Sequence, residues 1–239
     1  PSSGDPVDAD VDRDDAEPAD ADQSDSDADE EPTCPANGDF TITRDESQPG
    51  IGLSLTFLAN PASTTVEVDL AGEVVEDQLT WDFEAEESGD RRITDEILDP
   101  SAYWFASELT GATYASLVPG FDGAVGVYRV TDTAVSLLGV ASLADDSTLI
   151  TYDPPVDVVR FPLTPTSRWT IETRAEGRVQ HVAFNADETY EIAVDGTADV
   201  VVPAGRFPVL RVRTVLDRSA GPLSDHRISY AWVAECWGR

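Results

Sequence analysis

From residue 39 onward, larger apolar side chains recur at every second position, a period that suits strands with one buried and one wet face and does not suit a helix. Leu53, Leu55 and Phe57 alternate with Gly52, Ser54 and Thr56. Val66, Val68 and Leu70 alternate with Glu67 and Asp69, and Leu79, Trp81 and Phe83 with Thr80 and Asp82. The stretches Val125–Val130 and Val135–Val140, split by Thr131-Asp132-Thr133, predict a hairpin. Further strands are expected over Trp169–Thr173, Val179–Phe184, Tyr190–Val194, Ala198–Val202, Pro208–Val215 and Ile228–Val233. The links between them are turn-rich: Asn185-Ala186-Asp187, Asp195-Gly196, Pro203-Ala204-Gly205 and Ala220-Gly221-Pro222. A strand about every 8–12 residues predicts an all-β antiparallel domain, a curved sheet in the form of a half-barrel or sandwich, with at most one or two short helices. The one helical candidate is Pro100–Leu109.

Residues 1–38 read differently, as a disordered acidic spacer ahead of a single β domain over 39–239. Positions 1–33 hold fourteen acids and one arginine, a charge of −13 out of −32, which leaves −19 for the other 206 residues. With no aromatic residue and only Val7 and Val11 as larger aliphatics between Asp5 and Glu31, this stretch cannot bury enough apolar surface to offset its ordering entropy. Repulsion should stretch it beyond the roughly 30 Å of a neutral coil of its length. Alternating carboxylates from Asp20 to Asp29 invite a calcium reading, but the central Gly and closing Glu of an EF-type loop are missing. A surface this negative makes nucleic acid and acidic membrane poor partners. A high-salt habitat is a rival source of the acidity, although it does not predict so steep a contrast between spacer and domain. Pro1 is not a translational start, so the chain is read as processed or partial, with any export signal or membrane anchor lying before it.

Few residues suggest chemistry. Cys34 and Cys236 near the ends of the domain are either two free thiols or one bridge; a bridge closing some 200 residues would stabilise by about 4–5 kcal/mol. His181 falls in a predicted strand and His226, next to Asp225, in a predicted turn; both read as surface histidines rather than members of a Ser-His-Asp triad. Two His and two distant Cys write no zinc site, so no metal and no cofactor are expected. Gly120, Gly123 and Gly126 have no helix behind them and make no phosphate loop. Glu84, Glu86 and Glu87 look like a solvated hairpin end; a carboxylate hydrolase would need two acids converging in one cleft. Tyr103-Trp104-Phe105, Trp232 and Trp237 read as core aromatics or, alternatively, as the lining of a groove. Arg211 and Arg213 share a sheet face, where they pair with carboxylates across strands or else form an anion site. All fifteen basic residues are arginine.

The second half resembles a recurring type of bacterial exported lipoprotein. The residues that carry the likeness are Val127–Gly139, Tyr152-Asp153-Pro154-Pro155, Phe161-Pro162-Leu163 with Trp169, and above all Val202-Pro-Ala-Gly-Arg-Phe-Pro-Val-Leu-Arg-Val-Arg213 followed by Tyr230-Ala-Trp-Val-Ala234. That family implies a curved antiparallel sheet, similar in shape to the half-barrels of periplasmic lipoprotein carriers. It also implies export, a lipidated N-terminal Cys on a flexible tether, and no catalytic residues. No Cys stands at position 1, and the family usually continues its last strand beyond the point matched by Arg239.

Composition, pattern and likeness together predict a non-enzymatic, extracytoplasmic domain. It would be tethered at the cell envelope, with a structural or binding role toward an unidentified protein or lipid and with membrane contact only through an N-terminal anchor. Two alternatives accompany it: a carrier of an apolar ligand in a curved-sheet cavity, and a subunit of a larger surface assembly.

Overall fold

The computed structural model describes residues 34, 37–47, 50–61, 64–85, 89–118 and 123–236. Of the expected spacer over 1–38, positions 1–33, 35 and 36 lie outside them, as do its calcium-like string, Glu86, Glu87, Gly120, Trp237 and Arg239. Strand dominates and helix is confined to two single 3-10 turns, Pro100–Ala102 and Trp104–Ser107, where the sequence suggested a short helix.

The fold is all-β and built on one antiparallel meander. Strands β5 (Tyr114–Leu117), β6 (Ala124–Val130), β7 (Ala134–Ser142), β8 (Leu149–Arg160), β9 (Arg168–Val179), β10 (Val182–Val202), β11 (Gly205–Ala220) and β12 (Leu223–Ala234) lie side by side in chain order, and the sheet does not close into a barrel. β2 (Glu73–Val75) and β3 (Gln78–Asp82) form a small hairpin, and β3 joins the far half of β10 in parallel. β1 (Ser54–Ala59) and β4 (Arg91–Glu96) make a separate two-stranded ladder.

Two breaks in the ladder shape this sheet. The first is at Asp153-Pro154-Pro155 in β8. The β8–β9 pairing runs from Leu149↔Arg178 to Asp153↔Arg174 and stops at the prolines, which have no N–H to donate. Side chains of β9 take over: Thr173 Oγ1 donates to the Pro154 carbonyl (2.6 Å) and Trp169 Nε1 to that of Asp157 (2.9 Å). β8 thus stays on β7 while β9 departs on β10, and the sheet folds over on itself. The main core fills the inside of the fold, with Tyr114, Tyr128, Val135, Val156 and Val159 from one half against Trp169, Ile171, Ile192, Val194, Leu210, Val212 and Val233 from the other.

The second break is a bulge at Asp195. Val194 faces Val212, but Gly196 faces Arg211, so one residue is inserted and the alternation changes sides. Before the bulge, Ile192 and Val194 point into the main core; after it, Ala198 and Val200 join Val209, Ala234 and Trp81 in a cluster on the opposite face. Trp81 is 1% exposed, and its Nε1 donates to the Leu70 carbonyl (3.2 Å). Gly196 makes room for it, because a Cβ there would stand 3.0 Å from the indole. Phe105, Leu109, Val125, Val127 and Leu138 form a third cluster that covers the outer face of β6 and β7, so β6 and most of β7 are buried on both sides.

Several expected strands change. Tyr190–Val194 and Ala198–Val202 are one strand, with Asp195-Gly196 a bulge rather than a turn, and Asn185-Ala186-Asp187 lies inside it. Val179–Phe184 is interrupted by a tight turn in which Gln180 and His181 take φ of +49° and +65°, the hairpin geometry suited to a twisted ladder. Residues 66–70 form no strand. β1 forms as expected, yet Leu53, Leu55 and Phe57 remain 56%, 41% and 38% exposed.

Trp81→Ala is expected to cost about 3–5 kcal/mol. Gly196→Ala should cost about 1–3 kcal/mol through displacement of the indole. Urea midpoints at unchanged m-value check both.

Candidate functional site

A cleft of about 720 Å³ lies over one end of the β9–β12 ladder and is lined by charged and hydroxyl side chains. Strand pairing builds it in rows. Thr173, Glu188, Arg218 and Asp225 stand opposite one another across four strands and point to the inner side. The flanking rows, Glu172-Thr189-Asp217-His226 and Arg174-Asp187-Ser219-Ser224, point outward.

At the centre is a buried carboxylate. The Glu188 side chain has no exposed surface; Arg218 Nε lies 2.6 Å from its Oε1, and Tyr190 Oη donates to its Oε2 at 2.6 Å. Such an acid is tolerated inside because both oxygens have charge-assisted or hydroxyl partners. Burial alone would lower the Arg218 guanidinium, but Glu188 outweighs that and holds it above its ordinary value. Burial, reinforced by the charge of Glu188, pushes the Tyr152 phenol up to about 12. Tyr190 is raised further still, by burial first and then by Tyr152 and Glu188.

The remaining buried acids sit elsewhere. Glu46 accepts from the Thr43 amide and hydroxyl (2.8 Å each). Glu235 accepts from the amides of Asn37 and Gly38 at 2.6 and 2.9 Å. Glu46 and Glu235 lie at the junction beside Cys236, away from Glu188, and each of the three has its own hydrogen-bond donors. A second cleft, about 220 Å³, lies between Arg168 and Arg213. The fold interior is occupied by aromatic and branched side chains.

Both histidines are exposed, as expected, but both change element. His181 lies in the β9–β10 turn, and its amide donates to the Ser147 carbonyl (2.8 Å). His226 lies within β12 rather than in a turn, and its Nδ1 meets Asp217 across the ladder at 2.6 Å, not the adjacent Asp225. Glu84 is exposed after β3. Tyr103, Trp104 and Phe105 are packing residues: Tyr103 stacks on Phe105, and Trp104 Nε1 donates to the Ser142 carbonyl (2.9 Å). Trp232 packs edge-on against Trp81 and Phe83. Gly123 is a turn residue and Gly126 lies in β6. Among the described residues no three His, Cys, Asp or Glu side chains are grouped to hold a metal.

The two neighbouring arginines part company. Arg211 pairs with Asp195 across the strands at 2.8 Å, donates to the Leu70 carbonyl, and lies over the rings of Trp81 and Tyr230 at 4.7 and 5.4 Å. Arg213 makes no ion pair among the described residues, contrary to the pairing expected of it. Cys34 and Cys236 are joined in a disulfide, their Cα atoms 5.7 Å apart. The Cys236 amide donates to the Glu46 carbonyl (2.8 Å), and together with the Glu235 contacts this fastens Cys34 and residues 37–46 to the end of β12.

No protein-family model, curated protein or solved structure matches this chain.

Glu188→Ala is expected to cost about 3–5 kcal/mol, since it strands Arg218 and the Tyr190 hydroxyl. Asp217→Asn, in an exposed pair, should change stability by less than about 1 kcal/mol. Urea unfolding at neutral pH compares the two. A second expectation concerns alkali. An unfolded tyrosine ionises near 10.0, whereas folded Tyr152 keeps its proton to about 12. Stability present below pH 10.0 is therefore lost as pH rises toward about 12. Tyr152→Phe should flatten the fall of the urea midpoint across that window.

Proposed function

We propose that this protein is an extracytoplasmic domain, tethered at the cell envelope through its acidic N-terminal segment, that serves a structural or binding role without catalysis. The observation that carries the reading is the Cys34–Cys236 disulfide, which ties the junction with the acidic segment to the last strand of the sheet. Disulfides persist in oxidising compartments and are rare in reducing ones. A force or thermal motion entering at Cys34 would reach the end of β12 through this covalent link rather than peeling residues 37–46 from the domain. The likeness of Val202–Arg213 and Tyr230–Ala234 to exported lipoproteins supports the same address. The buried acids support a structural role for the interior, because each is taken up by local partners.

A second reading, subunit of a larger assembly, is favoured by β12. Its twelve residues pair with β11 on one side and with no described strand on the other, and such edges recruit further strands.

Fractionation of native cells and intact mass under non-reducing conditions test the proposal. The expected result is protein outside the cytoplasm whose two cysteines resist alkylation until a reductant is added. Reduced protein in the cytoplasmic fraction would refute it. Cys34→Ser with Cys236→Ser is expected to lower stability by about 4–5 kcal/mol in urea unfolding.

A further inference from the structure

Acids outnumber arginines by 47 to 15, and seven arginines have a carboxylate within ion-pair distance among the described residues. Arg168 and Arg213 do not, and they line the same cleft. Ala193 is the register partner of both, Arg168 on β9 and Arg213 on β11, so the three side chains form one cross-strand row on the outer face of the sheet. Two strand spacings put the arginine Cα atoms about 10 Å apart. The methyl of Ala193 between them leaves the space above it open. Tyr230, the partner of Arg213 on β12, extends the row with a phenol, and Thr170 places a hydroxyl in the cleft.

We propose that this cleft binds a carboxylate monoanion between the two guanidinium groups. The guanidinium fork matches a carboxylate in plane and spacing, and two such arginines lining one small cleft supply donors for both oxygens. The volume of about 220 Å³ suits a small head group rather than an extended ligand. Glu191, also in the lining, reduces the local charge to a single positive unit, and the rest of the chain is strongly negative. Both features disfavour a dianion, so the site selects carboxylate over phosphate at neutral pH. The inference stands apart from the proposed address of the protein, since it concerns a contact that the chain makes wherever it resides.

The test is a titration of the full 239-residue chain at neutral pH, followed through the Nε–Hε resonances of its arginines. Acetate is the free small acid, N-acetylglutamate amide represents a carboxylate presented by a peptide, and inorganic phosphate is the dianionic competitor. Arg168 and Arg213 are expected to shift together to a plateau with acetate, with the peptide-like probe, or with both, and which of these succeeds identifies the source of the carboxylate. Arg227, an exposed arginine of β12, reports the general ion atmosphere and should drift without a plateau. Arg168→Gln and Arg213→Gln should each weaken binding by about tenfold at an unchanged urea midpoint. A response that matches Arg227, a plateau reached sooner with phosphate, or full binding in both variants would overturn the proposal.

Discussion

One strand organises this molecule. β10 runs for 21 residues and pairs with β11 from Asp187 to Val202. Its first half carries β9 on the other side, and its last turn toward Val202 carries β3. The bulge at Asp195 lets a single strand feed two cores on opposite faces, with Ile192 and Val194 on one and Ala198 and Val200 on the other. Were Asp195 kept in regular alternation instead of bulging, Ala198 and Val200 would point toward the main core and Trp81 would lose the surface it covers. Arg211 secures the same corner by joining Asp195, the Leu70 carbonyl and two aromatic faces. A lysine could supply the charge there but neither the planar stack nor the fork.

The electrostatic design follows from the same economy of cations. Acidic side chains on the surface repel one another, and most contribute little individually to stability. Where a carboxylate is buried, it has partners: both oxygens of Glu188 meet Arg218 and Tyr190, one oxygen of Glu235 accepts from two backbone amides, and one of Glu46 accepts from the amide and hydroxyl of Thr43. Two of these three lie at the junction of residues 37–46 with the end of β12, beside the disulfide. The start of the domain is therefore held by covalent and hydrogen-bonded contacts together with Ile42, which bridges to Leu163 and is buried in the main core with Phe40 packed against it.

Much of the fold was legible because side-chain alternation survives wherever one face is wet. β9 shows it cleanly, with Trp169, Ile171, Thr173 and Ala175 buried and their neighbours exposed. Register within β10 was not legible, because Asp195-Gly196 has the composition of a turn while its tertiary neighbours hold it as a bulge. Gln180-His181 carries none of the Asn-Gly or Asp-Gly signal of a two-residue hairpin, so its turn was hidden inside an apparently continuous strand. Val66, Val68 and Leu70 alternate as a strand would, yet the neighbouring main-chain groups are used otherwise: the Leu70 carbonyl accepts from Trp81 and Arg211. At the candidate sites, the abundance of acids concealed Glu188, since no local pattern distinguishes one buried glutamate from its exposed neighbours. The pair Arg168 and Arg213 was half visible. The shared face of Arg211 and Arg213 could be read, but the approach of Arg168 depends on the β9–β10–β11 register.

Amide hydrogen exchange along β10 tests the account most directly. The spine described here predicts slow exchange from Thr189 through Val194 and again from Thr197 through Val201, interrupted by faster exchange at Asp195. Rapid, loop-like exchange over 197–202 alongside a protected 189–194 would show that the strand ends at the bulge. In that case the second core around Trp81 would not exist as described.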